Sequence, residues 1–376
     1  MAGKWKVEEL KVGAILETTF FQNPVGDSSY RFRATHLDGR RAPKVVLSND
    51  PRIRPGVRTQ VRIVAVHKPE RDDRGWIQVE FVRADALKLE GVYLDPIVSK
   101  KLQVLLESGL NILLDGPQGS GKTTMVKAIA TTLGMDFVFF NCAAVLEATD
   151  FMATIQVRAG EGGQPVTDFI STPLRTAILA AQGEPARPFL VFLDELNRCP
   201  EPARNALMPA LDATRKVFDP VGNVFLDIPS NVQFVAAVNR GSEFSGTFGI
   251  DAAQLDRFAP LQVDYLPAEE EVKLLEARHP EVSRARIKLV VELANKLRQS
   301  EELSAGLSVR ATEEVCVYLQ HPLMENADRG MVGEILKSSF CGRMSGRWSD
   351  PTTDAGIAWR IVEDALTEDA KKTKKA

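Results

Sequence analysis

Eight consecutive residues, Gly116-Pro117-Gln118-Gly119-Ser120-Gly121-Lys122-Thr123, set three glycines, a lysine and a hydroxyl at fixed spacing, and Thr124 follows. Glycine lets the main chain curl so that successive N–H groups face one point, which suits phosphate oxygens. An apolar run, Asn111-Ile112-Leu113-Leu114, precedes the loop, and a helical pattern, Met125-Val126-Lys127-Ala128-Ile129, follows it. This is the strand–loop–helix setting that a phosphate loop requires, because the helix aims its positive end at the same charge. Residues 116–124 are therefore the expected nucleotide-binding segment, with Lys122 reaching the β- and γ-phosphates and Thr123 offering its hydroxyl to Mg²⁺.

A second cluster lies further along. Phe189-Leu190-Val191-Phe192-Leu193 reads as a buried parallel strand, and it ends in Asp194-Glu195. Ligands bind beyond the carboxyl ends of such strands. There Asp194 would hold Mg²⁺ through water, and Glu195 would orient the attacking water or accept its proton. The next strand, Val232–Val238, ends in Asn239, an amide that either orients that water or merely closes the strand. Arg257, in Leu255-Asp256-Arg257-Phe258, reads either as a surface residue or as a cation donated to a phosphate.

The elements that must position these groups fall into three stretches. Residues ~10–84 carry five short β-rich runs: 14–21, 30–34, 44–47, 59–66 and 76–82. Turn residues such as Asn23-Pro24-Val25-Gly26-Asp27 and Asp72-Asp73-Arg74-Gly75 separate them, a pattern that predicts a small barrel, OB-like in type. Residues ~85–265 alternate strand and helix, as a parallel α/β sheet does. From Pro267 the pattern is helical, with Pro267-Ala268-Glu269-Glu270-Glu271 as a helix start. The expected domains are 1–88, 89–265, 266–350 and a C-terminal helix with a basic tail over 351–376, in which Thr367–Ala376 reads as frayed.

Composition sets the class. The 376 residues are 44% hydrophobic and 26% charged, as in ordinary globular proteins. There is neither an apolar run long enough to span a bilayer nor an apolar N-terminal leader, so the expected location is cytoplasmic, without membrane insertion. Cys142, Cys199, Cys316 and Cys341 are scattered and expected to be reduced, and the four histidines lack ligand spacing. Residues 1–95 hold 17 Lys+Arg against 13 Asp+Glu, a balance of +4, whereas the remainder holds 30 against 37, or −7. With Arg31, Arg33 and Arg62 on strands and Phe32 and Trp76 as aromatic candidates, the basic segment suits either a mixed-charge surface or nucleic acid binding through residues 1–88.

Together these motifs resemble AAA+ ATPases, specifically the MoxR family and its CbbQ/NorQ-type relatives, over roughly residues 90–345. The resemblance rests on the phosphate loop and on Asp194-Glu195-Leu196-Asn197-Arg198 with Asn205–Leu211. It extends to Asn239–Thr247 running into Arg257, and to Gly306-Leu307-Ser308-Val309-Arg310-Ala311-Thr312. It implies an AAA+ P-loop sheet with a helical lid, and hydrolysis of ATP with Mg²⁺. It also implies that Asn239 senses the nucleotide, that Arg310 reaches the γ-phosphate from the lid, and that Arg257 completes a neighbour's site in a homo-oligomeric, six-membered ring. Phe151–Thr172 resembles the insert that marks this clade, and Ala213–Leu226 takes the place of its hairpin. The implied work is remodelling or activation of a partner protein, for instance one with a von Willebrand A domain. The alternatives are a McrB-like nucleic-acid motor and a nucleotide-gated scaffold. Gln118 and Arg240 depart from the family pattern, which also lacks the β-rich N-terminal domain.

Overall fold

The computed structural model describes residues 9–22, 32–37, 40–47, 58–67, 76–81, 87–159, 164–185, 187–239, 248–304, 306–324 and 327–373. They fall into two compact units. The first comprises Met1–Asp115, Thr123–Val238 and Gly246–Gln262. The second comprises Gly116–Lys122, Asn239–Ser245 and Val263–Ala376. Residues Gly116–Lys122 of the phosphate loop and Asn239 thus group with the helical C-terminal segment.

The N-terminal strands are β1 (Ile15–Thr19), β2 (Phe21–Gln22), β3 (Phe32–Leu37), β4 (Arg40–Leu47), β5 (Arg58–His67) and β6 (Trp76–Phe81), in the order β1-β5-β6-β4-β3-β2. Only Phe20 separates β1 from β2, so residues 15–22 form one bent strand that pairs with β5 on one side and β3 on the other. The circuit is closed through it, with β4 and β6 parallel and the other pairs antiparallel. This is the expected OB-like barrel. Phe20, Ala34, Leu37, Val45, Val61, Ile63 and Ile77 fill its interior. Arg31 and the side chain of Phe32 lie outside the described residues, as do residues 23–30, 48–57 and 68–75 between strands. Trp76 is not the open stacking platform expected: it is half-buried, and His67 lies on its ring at 3.6 Å.

Helix α1 (Pro96–Ser108) leads into the α/β part. Asp95 caps it by accepting from Ile97 N, Pro96 fits the first turn, and Gly109 at φ 74° ends it. The elements that follow are β7 (Ile112–Asp115), α2 (Lys122–Leu133), β8 (Asp136–Asn141), β9 (Ala153–Ala159), β10 (Pro165–Ser171), α3 (Pro173–Gly183), β11 (Phe189–Asp194), α4 (Glu201–Leu211), β12 (Lys216–Asp219), β13 (Val224–Asp227), β14 (Val232–Val238), α5 (Ala252–Leu255) and β15 (Ala259–Gln262). The main sheet runs β15-β7-β14-β11-β8, all parallel. Every residue of β14 and the first five of β11 are buried, which explains their unbroken apolarity.

Both expected insertions are antiparallel hairpins, β9–β10 and β12–β13. Not all their apolar residues face outward. Phe151, Met152 and Val217 belong to the core, because the strand roots are drawn inward. Thr172 closes the first root by donating its hydroxyl to Phe151 O at 2.7 Å.

The helical segment contains α6 (Ala268–Arg278), α7 (Arg284–Arg298), α8 (Val309–Gln320), α9 (Arg329–Ser339) and α10 (Asp354–Thr373), packed on a core that includes Leu275, Val291, Val315, Leu336 and Val362. One expectation fails here. Residues 367–373 are helical rather than frayed, since Ala, Glu and Lys are good helix formers and lysines suit a helix C-terminus. No helix among the described residues is long and apolar enough to cross a membrane.

Candidate functional site

The parallel neighbours β7, β14 and β11 end at one sheet edge, in Asp115, Val238 and Asp194. The next residues along the chain are Gly116, Asn239 and Glu195. Sheet order alone therefore delivers the three sequence motifs to the edge where parallel sheets bind ligands.

The loop departs from β7 with Gly119 at φ 76° and Gly121 at φ 87°, left-handed values that exclude most side chains. A Cβ at Gly116 would stand 2.0 Å from Val263 O, and one at Gly119 would stand 2.3 Å from Ser308 Cβ. Close approach requires glycine at Gly116, and close approach together with torsion requires it at Gly119. Lys122 opens α2 and is 8% exposed. Its ammonium donates to Gly116 O at 2.8 Å, Pro117 O at 2.9 Å and Asn239 Oδ1 at 2.8 Å. Asn239 is itself buried, so the structure brings together the loop lysine and the strand-ending amide. Ser120 Oγ is buried without a partner. An orphan hydroxyl, a caged ammonium and a glycine cradle form a donor set that fits a phosphate anion. Pro117 and Gln118 complete the loop, Thr123 is half-buried and Thr124 exposed.

The carboxylate strand ends in strained geometry. Glu195 has φ 53° and ψ 43°, left-handed for a side chain that disfavours it. Its N–H donates to Asp194 Oδ1 at 3.1 Å, and its carboxylate lies 3.4 Å from Arg198 Nε, with both side chains partly exposed. Arg198 Nε is otherwise buried without a hydrogen-bond partner, so this contact is loose. Below it, Cys142 and Cys199 are fully buried and free. Burial pushes the Cys142 thiol well above its usual range, helped by Cys199, Asp194 and Glu195, and raises Cys199 to about 11. Neither is available as a thiolate nucleophile at neutral pH.

Arg257 is turned to its own surroundings. It donates to Ala253 O at 2.5 Å and lies 3.8 Å from Asp212, while its main-chain oxygen accepts from Asn111 Nδ2 at 3.1 Å. Arg310, the second residue of α8, is exposed and makes no ion pair or side-chain hydrogen bond among the described residues. Sequence reasoning overlooked two things: that Ser308 packs on Gly119, and that Arg198 faces Glu195. The second had a signal, the i,i+3 spacing of opposite charges.

Residues 111–258 match the AAA domain of the dynein-related subfamily. An uncharacterized protein of Staphylococcus saprophyticus is 27% identical over 46% of this chain and 63% of its own length. BssE of Thauera aromatica, named a candidate chaperone, is 29% identical over 54% of this chain and 67% of its own. The match thus spans no more than about two thirds of these relatives. Among solved structures, the Holliday junction branch migration motor RuvB of Thermotoga maritima superposes with a TM-score of 0.40 at 18% identity, covering 64% of this chain and 68% of that one. With its five-stranded parallel sheet and phosphate loop, the chain has an AAA+ P-loop NTPase fold, and its residues 111–258 are similar to AAA domains of the dynein-related subfamily.

Proposed function

We propose that the protein is a Mg²⁺-dependent ATP hydrolase of MoxR type that couples turnover to remodelling or activation of a partner protein. The caging of Lys122 by Gly116 O, Pro117 O and Asn239 Oδ1 carries this reading most directly. An ammonium so held is positioned in advance, and phosphate oxygens can replace its present acceptors at little reorganisation cost. Loop N–H groups over 116–124 bind the phosphates. Thr123 and Asp194 would hold Mg²⁺, which when bound neutralises phosphate charge. Glu195 takes a proton from the attacking water, and Asn239 orients that water. Arg310 stabilises charge from the lid. Arg257, whose contacts leave it at the surface, serves a neighbouring subunit in a hexameric ring.

The partner side of the reading rests on the hairpins. Ile155 and Phe169 are directly opposite in register, and with Val157 they expose apolar surface on β9–β10. Phe218 and Phe225 do the same on β12–β13. The cations nearby are engaged: Arg158 pairs with Asp168, Lys216 with Asp227 at 3.4 Å, and Arg215 donates to Ile228 O, Pro229 O and Val232 O. Such surfaces favour polypeptide over a phosphate backbone.

Titration calorimetry of the full chain with ATP and Mg²⁺ tests the nucleotide reading. Wild type should bind and Lys122→Ala should lose most of its affinity. Equal binding by both removes Lys122 from the site. For the ring, mixing inactive Arg257→Ala and Glu195→Gln subunits should restore part of the activity. Full activity from a strict monomer contradicts that assignment.

A further inference from the structure

We propose that Arg298 is a positioning residue for the phosphate loop: through a buried ion pair with Glu271 it fixes Tyr265 and the Leu307–Arg310 segment, which together set the loop's grip on nucleotide. The proposal rests on the nucleotide reading above.

The Arg298 side chain is 5% exposed and that of Glu271 is fully buried. The guanidinium is bidentate to the carboxylate, with Nη1 at 2.5 Å from Oε2 and Nη2 at 3.1 Å from Oε1. Thr312 Oγ1 also donates to Glu271 Oε1, at 2.6 Å. One carboxylate of α6 therefore joins α7 and α8, with its acceptors largely satisfied. A lid that needed only cohesion could use aliphatic packing at less desolvation cost.

The remaining contacts of Arg298 point toward the loop. Nε donates to Leu307 O at 2.6 Å, just before Ser308, whose Cβ leaves no room for a side chain at Gly119. Two residues further is Arg310. The guanidinium also lies 4.8 Å over the Tyr265 ring, a cation–π distance. Tyr265 Oη in turn donates to Gln118 O at 3.4 Å. A Cβ at Gly306 would come within 3.0 Å of that hydroxyl, so Gly306 keeps the ring's place clear. One guanidinium thus holds two of the segments that touch the loop, at Gln118 and at Gly119. Shifting it misplaces phosphate donors, and small misplacements of a binding group are costly.

The test uses the full chain. Arg298→Met alone leaves Glu271 buried and uncompensated, so Arg298→Met with Glu271→Met supplies an apolar replacement that keeps the lid folded. Tyr265→Phe removes only the hydroxyl. Steady-state ATP hydrolysis, ADP binding by calorimetry and thermal melting are measured on each. The double variant should melt near wild type, yet show KM for ATP and Kd for ADP raised about tenfold, with kcat per folded subunit within about twofold. Tyr265→Phe should raise KM about threefold with an unchanged melt. A purely structural role predicts wild-type KM and Kd wherever the melting temperature is wild type. That result in both variants overturns the proposal. If wild-type protein binds neither ATP nor ADP, the nucleotide reading itself has failed.

Discussion

Two glutamate–arginine pairs, one in each compact unit, use the same chemistry in opposite ways. Glu271–Arg298 is buried, bidentate and braced by Thr312 and the Leu307 carbonyl. Glu195–Arg198 is partly exposed at 3.4 Å, leaves Arg198 Nε without a hydrogen bond, and sits on a left-handed backbone. The first geometry fixes three helical elements. The second leaves a carboxylate free to exchange its partner. The proposed reaction, in which the site holds nucleotide and Glu195 takes a proton, would use both: a frame without slack and a base with some.

Stability should separate the pairs. Arg298→Ala strands a buried carboxylate and should cost about 3–5 kcal/mol, read by urea or thermal unfolding. Arg198→Ala breaks a half-exposed contact and should cost about 1 kcal/mol or less. Similar losses in the two variants would break the contrast.

Relief of strain sharpens it. Glycine adopts the φ of 53° seen at Glu195 without penalty, so Glu195→Gly should gain roughly 1 kcal/mol in stability while abolishing turnover. A stability loss would show that Glu195 contributes to the fold after all.

The smallest effect concerns acid. Arg175 Nε and Nη2 hold Asp219 at 2.8 and 2.9 Å, and these bonds keep the carboxyl below the usual aspartate range. The folded state then binds this proton more weakly than the unfolded state. The pair's stabilisation is fully present above the unfolded value near pH ~4 and is lost as pH falls through the depressed folded value. Asp219→Asn should flatten the acid end of a stability–pH curve, and an unchanged slope would show that the pair adds nothing.

The difference between the pairs also explains what could be read in advance. The phosphate loop is a local object, with every residue from Gly116 to Thr123 adjacent in sequence, and Asp194-Glu195 closes an unmistakably apolar strand. The barrel strands were legible because period-2 alternation survives in short pieces. Glu271, Arg298 and Thr312 were not legible, because nothing distinguishes a buried charge from a solvated one until distant helices meet. The core positions of Phe151, Met152 and Val217 were not legible either: apolar residues in an insertion look the same whether they anchor its root or line its tip. The C-terminal residues 367–373 read as a tail because a lysine run resembles solvated coil, although helix tolerates it.

In the proposed reaction Lys122 holds ATP while Glu195 serves its hydrolysis. Single-turnover hydrolysis by Glu195→Gln, measured beside ATP affinity, tests it most directly. An amide cannot take the proton, so the variant should bind ATP within about threefold of wild type and hydrolyse it at least ~100-fold more slowly. Hydrolysis at the wild-type rate would remove Glu195 from the reaction.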